Sequence, residues 1–383
     1  MVSHLATVLA RRGVQAVHEH IPKDPKEVLK HIPNWGMALL LVTMVAFAVF
    51  SSTLEYSVRL LMGTLAMVES TETTTIRAYS ATPPSYSDED TADMKKDGQA
   101  PLFEVEIQTV STGKPLTSSI RRTMKHIKTV GGCAARWRGL GIFLLYVSLT
   151  TLISAPLSSF LRFLPKPCNG IFADMLASVI TARLHANFTH KVISMPSFKS
   201  IRDRMLSRAQ WKELMIPTAL SVGAQTTGVC AIAMVFRVSG VIVQDLHQND
   251  AAPTWTLPIL AIVPGTFTAI VLGLFMMFPA YVSLVRKEAS MLPEEEETIV
   301  NFDRTFGGRL TQAATSATLR ESWQSFTWEA RRRLIKLYVK FFFIMSAVMF
   351  VFAHVLILEL YIVAGDEIKD YARSVHQEIK RAL

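Results

Sequence analysis

Six stretches of the chain gather apolar residues into long runs, with polar segments between them. They are Trp35–Val68, Leu140–Leu164, Asn169–Lys191, Leu214–Val243, Leu257–Val285 and Leu334–Ala364. A helix needs about 20 such residues to cross roughly 30 Å of hydrocarbon, and each run reaches that length. A soluble core would instead scatter its apolar residues at helix or strand period. The pattern predicts an all-α integral membrane protein, a six-helix bundle. Asn169–Lys191 is the least apolar run, because Asp174, Arg183, His185 and His190 interrupt it. It reads either as a third span with its polar side inward or as an amphipathic helix on the membrane surface.

The polar segments sort by length. Long ones follow the first, third and fifth runs, and short ones follow the second and fourth. An even number of spans puts both termini on one side and the long loops on the other. The long loops carry most of the Lys and Arg, so the loop side is expected to be the matrix or the cytosol. The first long segment, 69–99, is polar, Pro-containing and locally acidic, which predicts disorder. Phe103–Val110 alternates briefly and reads as extended. Lys114–Gly139 follows, with Pro115 suited to a helix start and Ile120, Met124 and Ile127 at helical spacing among Arg121, Arg122, Lys125 and Lys128. That predicts a surface helix. Related basic, Trp-bearing segments recur at Ser194–Glu213 and Thr318–Lys336. The economical description is three repeats, about 35–164, 167–243 and 255–364, each of two transmembrane helices plus a surface helix. An N-terminal segment, 1–34, precedes the membrane domain 35–365, and a charged tail, 366–383, follows it. Met1–His18 has no acidic residue and reads as a targeting helix or, better, a surface helix.

Composition narrows the chemistry. The 383-residue chain is 50% hydrophobic and carries a net charge of +9. Its cations sit in loops between apolar runs, which suits anionic lipid headgroups rather than nucleic acid. Cys133, Cys168 and Cys230 form no CxxC, so no zinc site or disulfide framework is expected. No Gly-rich phosphate loop, HExxH or GxSxG occurs, which argues against an enzyme and calls for no cofactor. His18-Glu19-His20 reads as solvated rather than metal-bound, and the sequon Asn187-Phe188-Thr189 is expected to stay unmodified. Glu55 and Arg59 lie four apart on one helical face and read either as a pair turned to the bundle interior or as interface residues that snorkel.

The arrangement resembles the mitochondrial carrier family, in a divergent, fungal-looking carrier-like branch. Gly132-x-x-x-x-Trp137-Arg138-Gly139 looks like that family's Gly-x-x-x-x-aromatic-basic-Gly ahead of an even helix. The resemblance implies that Gly132, Trp137, Arg138 and Gly139 hold cardiolipin. Pro279 and Arg286 fit the first and last places of the family's Pro-x-acid-x-x-base-x-base at the end of the fifth helix; Tyr281 and Leu284 stand where its acid and first base belong. In the family two charge networks couple substrate binding to alternating access. The resemblance therefore implies transport of a small, anionic metabolite across the mitochondrial inner membrane. Arg183, Gln225, Lys340 and His354 are the candidates to touch the solute, with Glu55, Arg59, Pro279 and Arg286 as gating or helix-pairing groups. The competing reading is a carrier-like membrane anchor or scaffold that binds partners through its polar loops.

Overall fold

The structure is a computed structural model, and its described residues are 33–70, 75–77, 107–109, 115–197, 199–249, 256–293, 295–303 and 318–363. The expected N-terminal segment (apart from Pro33 and Asn34), most of the 69–99 loop and the charged tail lie outside them. The described chain is helical apart from a three-residue antiparallel ladder, in which β1 (Thr75–Arg77) pairs with β2 (Ile107–Thr109). β2 falls inside the stretch read as extended.

The helices are α1 (Asn34–Leu54), α2 (Met62–Val68), α3 (Ile120–Gly131), α4 (Leu140–Phe160) and α5 (Cys168–Ile193), then α6 (Arg208–Gln248), α7 (Leu257–Leu272), α8 (Phe278–Ser290), α9 (Leu319–Gln324) and α10 (Trp328–Val363). Wide π-helical turns, Glu55–Leu61 and Gly273–Met277, join α1 to α2 and α7 to α8. The second has a local cause. Pro279 has no N–H and its ring would crowd the carbonyl four residues back, and a widened turn relieves that crowding. In the first, the Ser51 and Ser57 hydroxyls bond back to the Phe47 and Thr53 carbonyls and compete with the backbone ladder.

Five continuous helical segments among the described residues are long and apolar enough to cross a membrane. They are Asn34–Val68, Cys133–Phe160, Arg208–Gln248, Leu257–Ser290 and Trp328–Val363. Their apolar windows are almost wholly uncovered by protein, with side chains such as Leu152, Phe267 and Phe342 standing outward. Exposure of that much apolar surface requires lipid around it. The chain is thus a multi-pass membrane protein. α5 is not among the five, since its charged and polar residues lower its apolarity.

Of the three segments expected to hold a surface helix, the described residues show one about three turns long in the first, α3. In the second, Ile201–Arg204 makes a turn and α6 begins early, at Arg208. The Ser207 hydroxyl accepts from the Gln210 backbone while the Gln210 side chain accepts from Ser207, a capping box that sets the start. In the third, α9 is six residues long and opens on the same device, Thr318 with Glu321.

Two compact units divide the chain, Leu60–Leu337 and a smaller one of which 33–59 and 338–363 are described. In the smaller unit α1 and the later part of α10 run antiparallel. Gly36 lies under Val363, the Thr43 hydroxyl donates to Glu359 Oε1 at 2.5 Å, and Phe47 stacks on Phe352 with centroids 3.7 Å apart. In the larger unit α4, α5, α6 and α7 pack in chain order, each on the next. α6 and α7 approach closely because Gly265 leaves room for the Phe236 ring, which sits 2.4 Å from where a Cβ would be.

Candidate functional site

The larger unit gathers its buried charged groups at one end, where α2, α5 and α8 finish. Glu288, near the end of α8, is fully buried. Its Oε1 lies 2.7 Å from His185 Nδ1, its Oε2 accepts from the Thr189 hydroxyl at 2.6 Å, and its backbone carbonyl accepts from His190 Nε2 at 2.7 Å. All three partners stand on α5, at spacings that put His185 and Thr189 on one face. Two turns of α5 are therefore fastened to one carboxylate of α8.

Arg286, two residues earlier and so on another side of the helix, fastens α8 to two other elements. It donates to the Met67 carbonyl at the end of α2 (2.8 Å), to the Ser322 carbonyl (3.0 Å) and to Ser325 Oγ (2.9 Å). Arg333, from the first turns of α10, donates to the Glu69 carbonyl at 2.9 Å and stands 3.7 Å from its carboxylate. That carboxylate also accepts from the backbone N–H groups of Leu116 and Thr117 and from the Thr117 hydroxyl. It so anchors the chain returning toward α3. Helix ends carry unsatisfied carbonyls, and here guanidinium groups satisfy them.

A strap closes this end. After α8, residues 295–303 cross the ends of α5 and α2. Met195 donates to the Glu297 carbonyl, Ile299 to that of Ile193, and Ser70 to that of Asn301. Glu296 pins the strap through Lys199 (3.1 Å) and Arg204 (2.9 Å). Burial alone would raise the Glu296 carboxyl, but the Lys199 hydrogen bond and the Arg204 charge outweigh it and hold its pKa below the ordinary 4.5. A depressed carboxylate contributes stability above its unfolded pKa and loses it as pH falls through the folded value. Protection factors across 295–303, which take out the intrinsic pH dependence of amide exchange, should therefore be constant well above the ordinary carboxyl pKa of 4.5 and fall as acidification goes below it. The same step in a Glu296→Gln protein would assign it to another group.

The second feature is a polar seam between α4 and α5. On α4, Tyr146, Thr150, Ser154 and Ser158 recur every four residues and form one stripe on a mostly apolar helix. Opposite them, Ser154 donates to Asp174, the Thr150 and Thr181 hydroxyls meet at 2.8 Å, and Asn169 reaches Ser158 at 3.5 Å. Tyr146 sets its ring edge-on to His185, centroids 5.1 Å apart, so the seam runs into the Glu288 cluster.

The expected site residues are spread out. Arg183 donates to the Leu206 carbonyl and links α5 to the segment before α6. Gln225 reaches Ser221 on its own helix at 3.3 Å. Lys340 and His354 belong to the smaller unit, where both are exposed and His354 Nδ1 meets the Phe350 carbonyl at 2.8 Å. Glu55 and Arg59 pair at 2.5 Å with both side chains 48% exposed. The 21 residues of α1 ahead of this pair already cover about 30 Å, the thickness of a bilayer's hydrocarbon core. A double-mutant cycle with Glu55→Leu and Arg59→Leu should return a coupling of about 0.5 kcal/mol or less; 2 kcal/mol would place the pair in a dry setting. Gly132 and Gly139 both take positive φ, 74° and 79°, on either side of the 3₁₀ turn Cys133–Trp137. Only glycine does so at little cost, so this motif has a backbone reason at both ends. Arg138 Nε donates to the Lys191 carbonyl at 2.5 Å, while Trp137 is partly exposed. Pro279 sits past the π turn of the α7–α8 segment. The sequon residue Asn187 is fully buried and donates to the Ile201 carbonyl at 2.8 Å.

Sequence reasoning missed Glu288 and its partners. The available signals were an acid three residues past the end of the fifth run and the polar stripe Asp174, Ser178, Thr181, His185, Thr189 at three- and four-residue steps. No family model, no curated protein and no solved structure matches the chain.

Proposed function

We propose that this membrane protein moves a small solute by alternating access, with six spans rather than five. The observation that carries the reading is the set of buried charged ties joining the ends of α2, α5 and α8 (Arg286 to Met67, and Glu288 to His185 and Thr189). Buried ions are a poor way to stabilise a static bundle, since apolar packing does as well or better. They suit an end that must open, because a few directional contacts can be exchanged where an apolar interface would have to separate. Such a tie is what a resemblance to mitochondrial carriers leads one to expect at the loop-side ends of the odd helices. α5 serves as the sixth span, with α4 and α6 against it and its polar side facing the hydroxyls of α4. The inner mitochondrial membrane, cardiolipin at Gly132, Trp137, Arg138 and Gly139, and an anionic solute belong to the same proposal.

The test is protease protection on isolated organelles, with tags at the N-terminus and within 69–99, followed by uptake into vesicles. Co-purification with mitochondria, exposure of the terminus but not the loop after outer-membrane rupture, and uptake of a labelled small anion are expected. Fractionation with the endoplasmic reticulum or plasma membrane would overturn the mitochondrial assignment. A correctly inserted protein with no uptake would favour the anchor reading, which the full burial of Glu288 also suits.

A further inference from the structure

The α4–α5 seam has ionisable groups at both ends and hydroxyls between them. Asp174, half-buried nearer the α4–α5 turn, accepts from Ser154. Thr150 and Thr181 share a hydroxyl contact at 2.8 Å. The Tyr146 hydroxyl comes within hydrogen-bond reach of Ser178 and Thr150, and it lies within range of the charges of both Asp174 and Glu288. Its ring packs edge-on to His185, whose Nδ1 is 2.7 Å from Glu288. From Asp174 to His185 is three turns of α5, about 16 Å of rise. Hydroxyls between membrane helices act as glue. Glue needs no ionisable group, however, and such groups within spans are costly and mark ion or proton paths.

We propose that this seam conducts protons between Asp174 and the His185–Glu288 pair, and that solute movement is coupled to that flow. The inference rests on the transporter reading. A proton fits better than a metal ion: the seam offers hydroxyls and a single carboxylate, and no group of three or more metal-ligating side chains occurs among the described residues. The steps conserve charge. A proton bonds to the Asp174 carboxylate. Ser154 passes a proton through a bridging water to the Thr150–Thr181 pair, and from there to Tyr146 each hydroxyl accepts one proton on its oxygen and releases its own to the next. The His185 ring takes one on its second nitrogen through a water that bridges from the Tyr146 hydroxyl and gives up the Nδ1 proton to Glu288, which is buried and releases it only when the strap end opens. One proton enters, one leaves, and nothing is oxidised. The groups around the exit are Tyr146 of α4, Tyr281 of α8, Thr189 and His190 of α5, and the Lys287–Glu213 pair between α8 and α6. α2 carries no ionisable side chain.

The test uses the full chain in liposomes with pyranine inside, a valinomycin-set potassium potential, and labelled inorganic phosphate and a C4 dicarboxylate on both sides. Potential-driven acidification of the lumen is expected. Asp174→Asn and Tyr146→Phe should each slow it tenfold or more, Thr181→Val should slow it, and Thr181→Ser should restore it. Tyr146→Phe keeps the ring against His185 and gives up only the hydroxyl contacts, so it should fold and melt within a few degrees of the parent. Unchanged proton flux in variants that melt like the parent would overturn the path. Labelled uptake without proton flux, and indifferent to a pH gradient, would also overturn it while leaving the transporter standing. Asp174-dependent proton flux without uptake of either anion would keep the path and remove the support for anion transport. Neither flux would overturn both.

Discussion

Glu288→Leu should lower the stability of the detergent-solubilised protein by about 3–5 kcal/mol, the range for removing one partner of a buried charged pair. Leu fills nearly the same volume, so the loss is not a cavity effect. It comes from His185 and Thr189, which stay buried on α5 with nothing to meet. Water cannot reach them, and each stranded polar group keeps its full desolvation cost. His190 should be spared, since it donates to the backbone carbonyl, which any residue supplies. Glu288→Gln is the informative companion. It keeps an acceptor for Thr189 and loses only the charge toward His185, so its cost should be nearer 1–2 kcal/mol. Thermal melting of the three proteins in one detergent checks the order. Equal melting temperatures would show that α5 and α8 hold together by apolar packing alone.

Arg286→Leu should cost about 3 kcal/mol by a different route. Arg286 supplies three hydrogen bonds to neutral oxygens, those of Met67, Ser322 and Ser325. Each orphaned acceptor carries about 1 kcal/mol or more when no water replaces the donor. Arg286→Lys should recover little. An ammonium on a flexible stem cannot reproduce three contacts made by a planar guanidinium aimed in three directions. A lysine protein as stable as the parent would mean that charge, and not geometry, holds the end of α2. The two substitutions should also show less than additive losses, because both act on the last two turns of α8.

The two charged residues differ in how far the sequence revealed them. Arg286 stood out because it follows Pro279 at a motif spacing. Glu288 did not, because its partners lie about a hundred residues away in the chain. Arg183 and Lys340 show what a sequence leaves open about a cation. Each is a cation within or beside an apolar run, a fair signal for a solute site. The structure sets Arg183 on the Leu206 carbonyl, 23 residues on, and Lys340 exposed in the other unit. A polar residue in an apolar run announces that it needs a partner or a boundary, but not which one. The Glu55–Arg59 pair was legible because the helix itself brings residues four apart together.

The sequence by itself determined where the helices lie and that they need lipid. Apolar runs of membrane length admit almost no other solution, because every backbone group inside hydrocarbon must bond within its own helix. It also determined the glycines flanking Cys133–Trp137 and the capped starts of α6 and α9, which are local devices. Only the tertiary structure decided which stripe of α5 faces α4, which acid meets which histidine, and that the strap crosses the ends of α5 and α2. Those outcomes depend on contacts between residues far apart in the chain. Their free energy is realised only when several helix ends arrive together, and no periodicity along one helix encodes it.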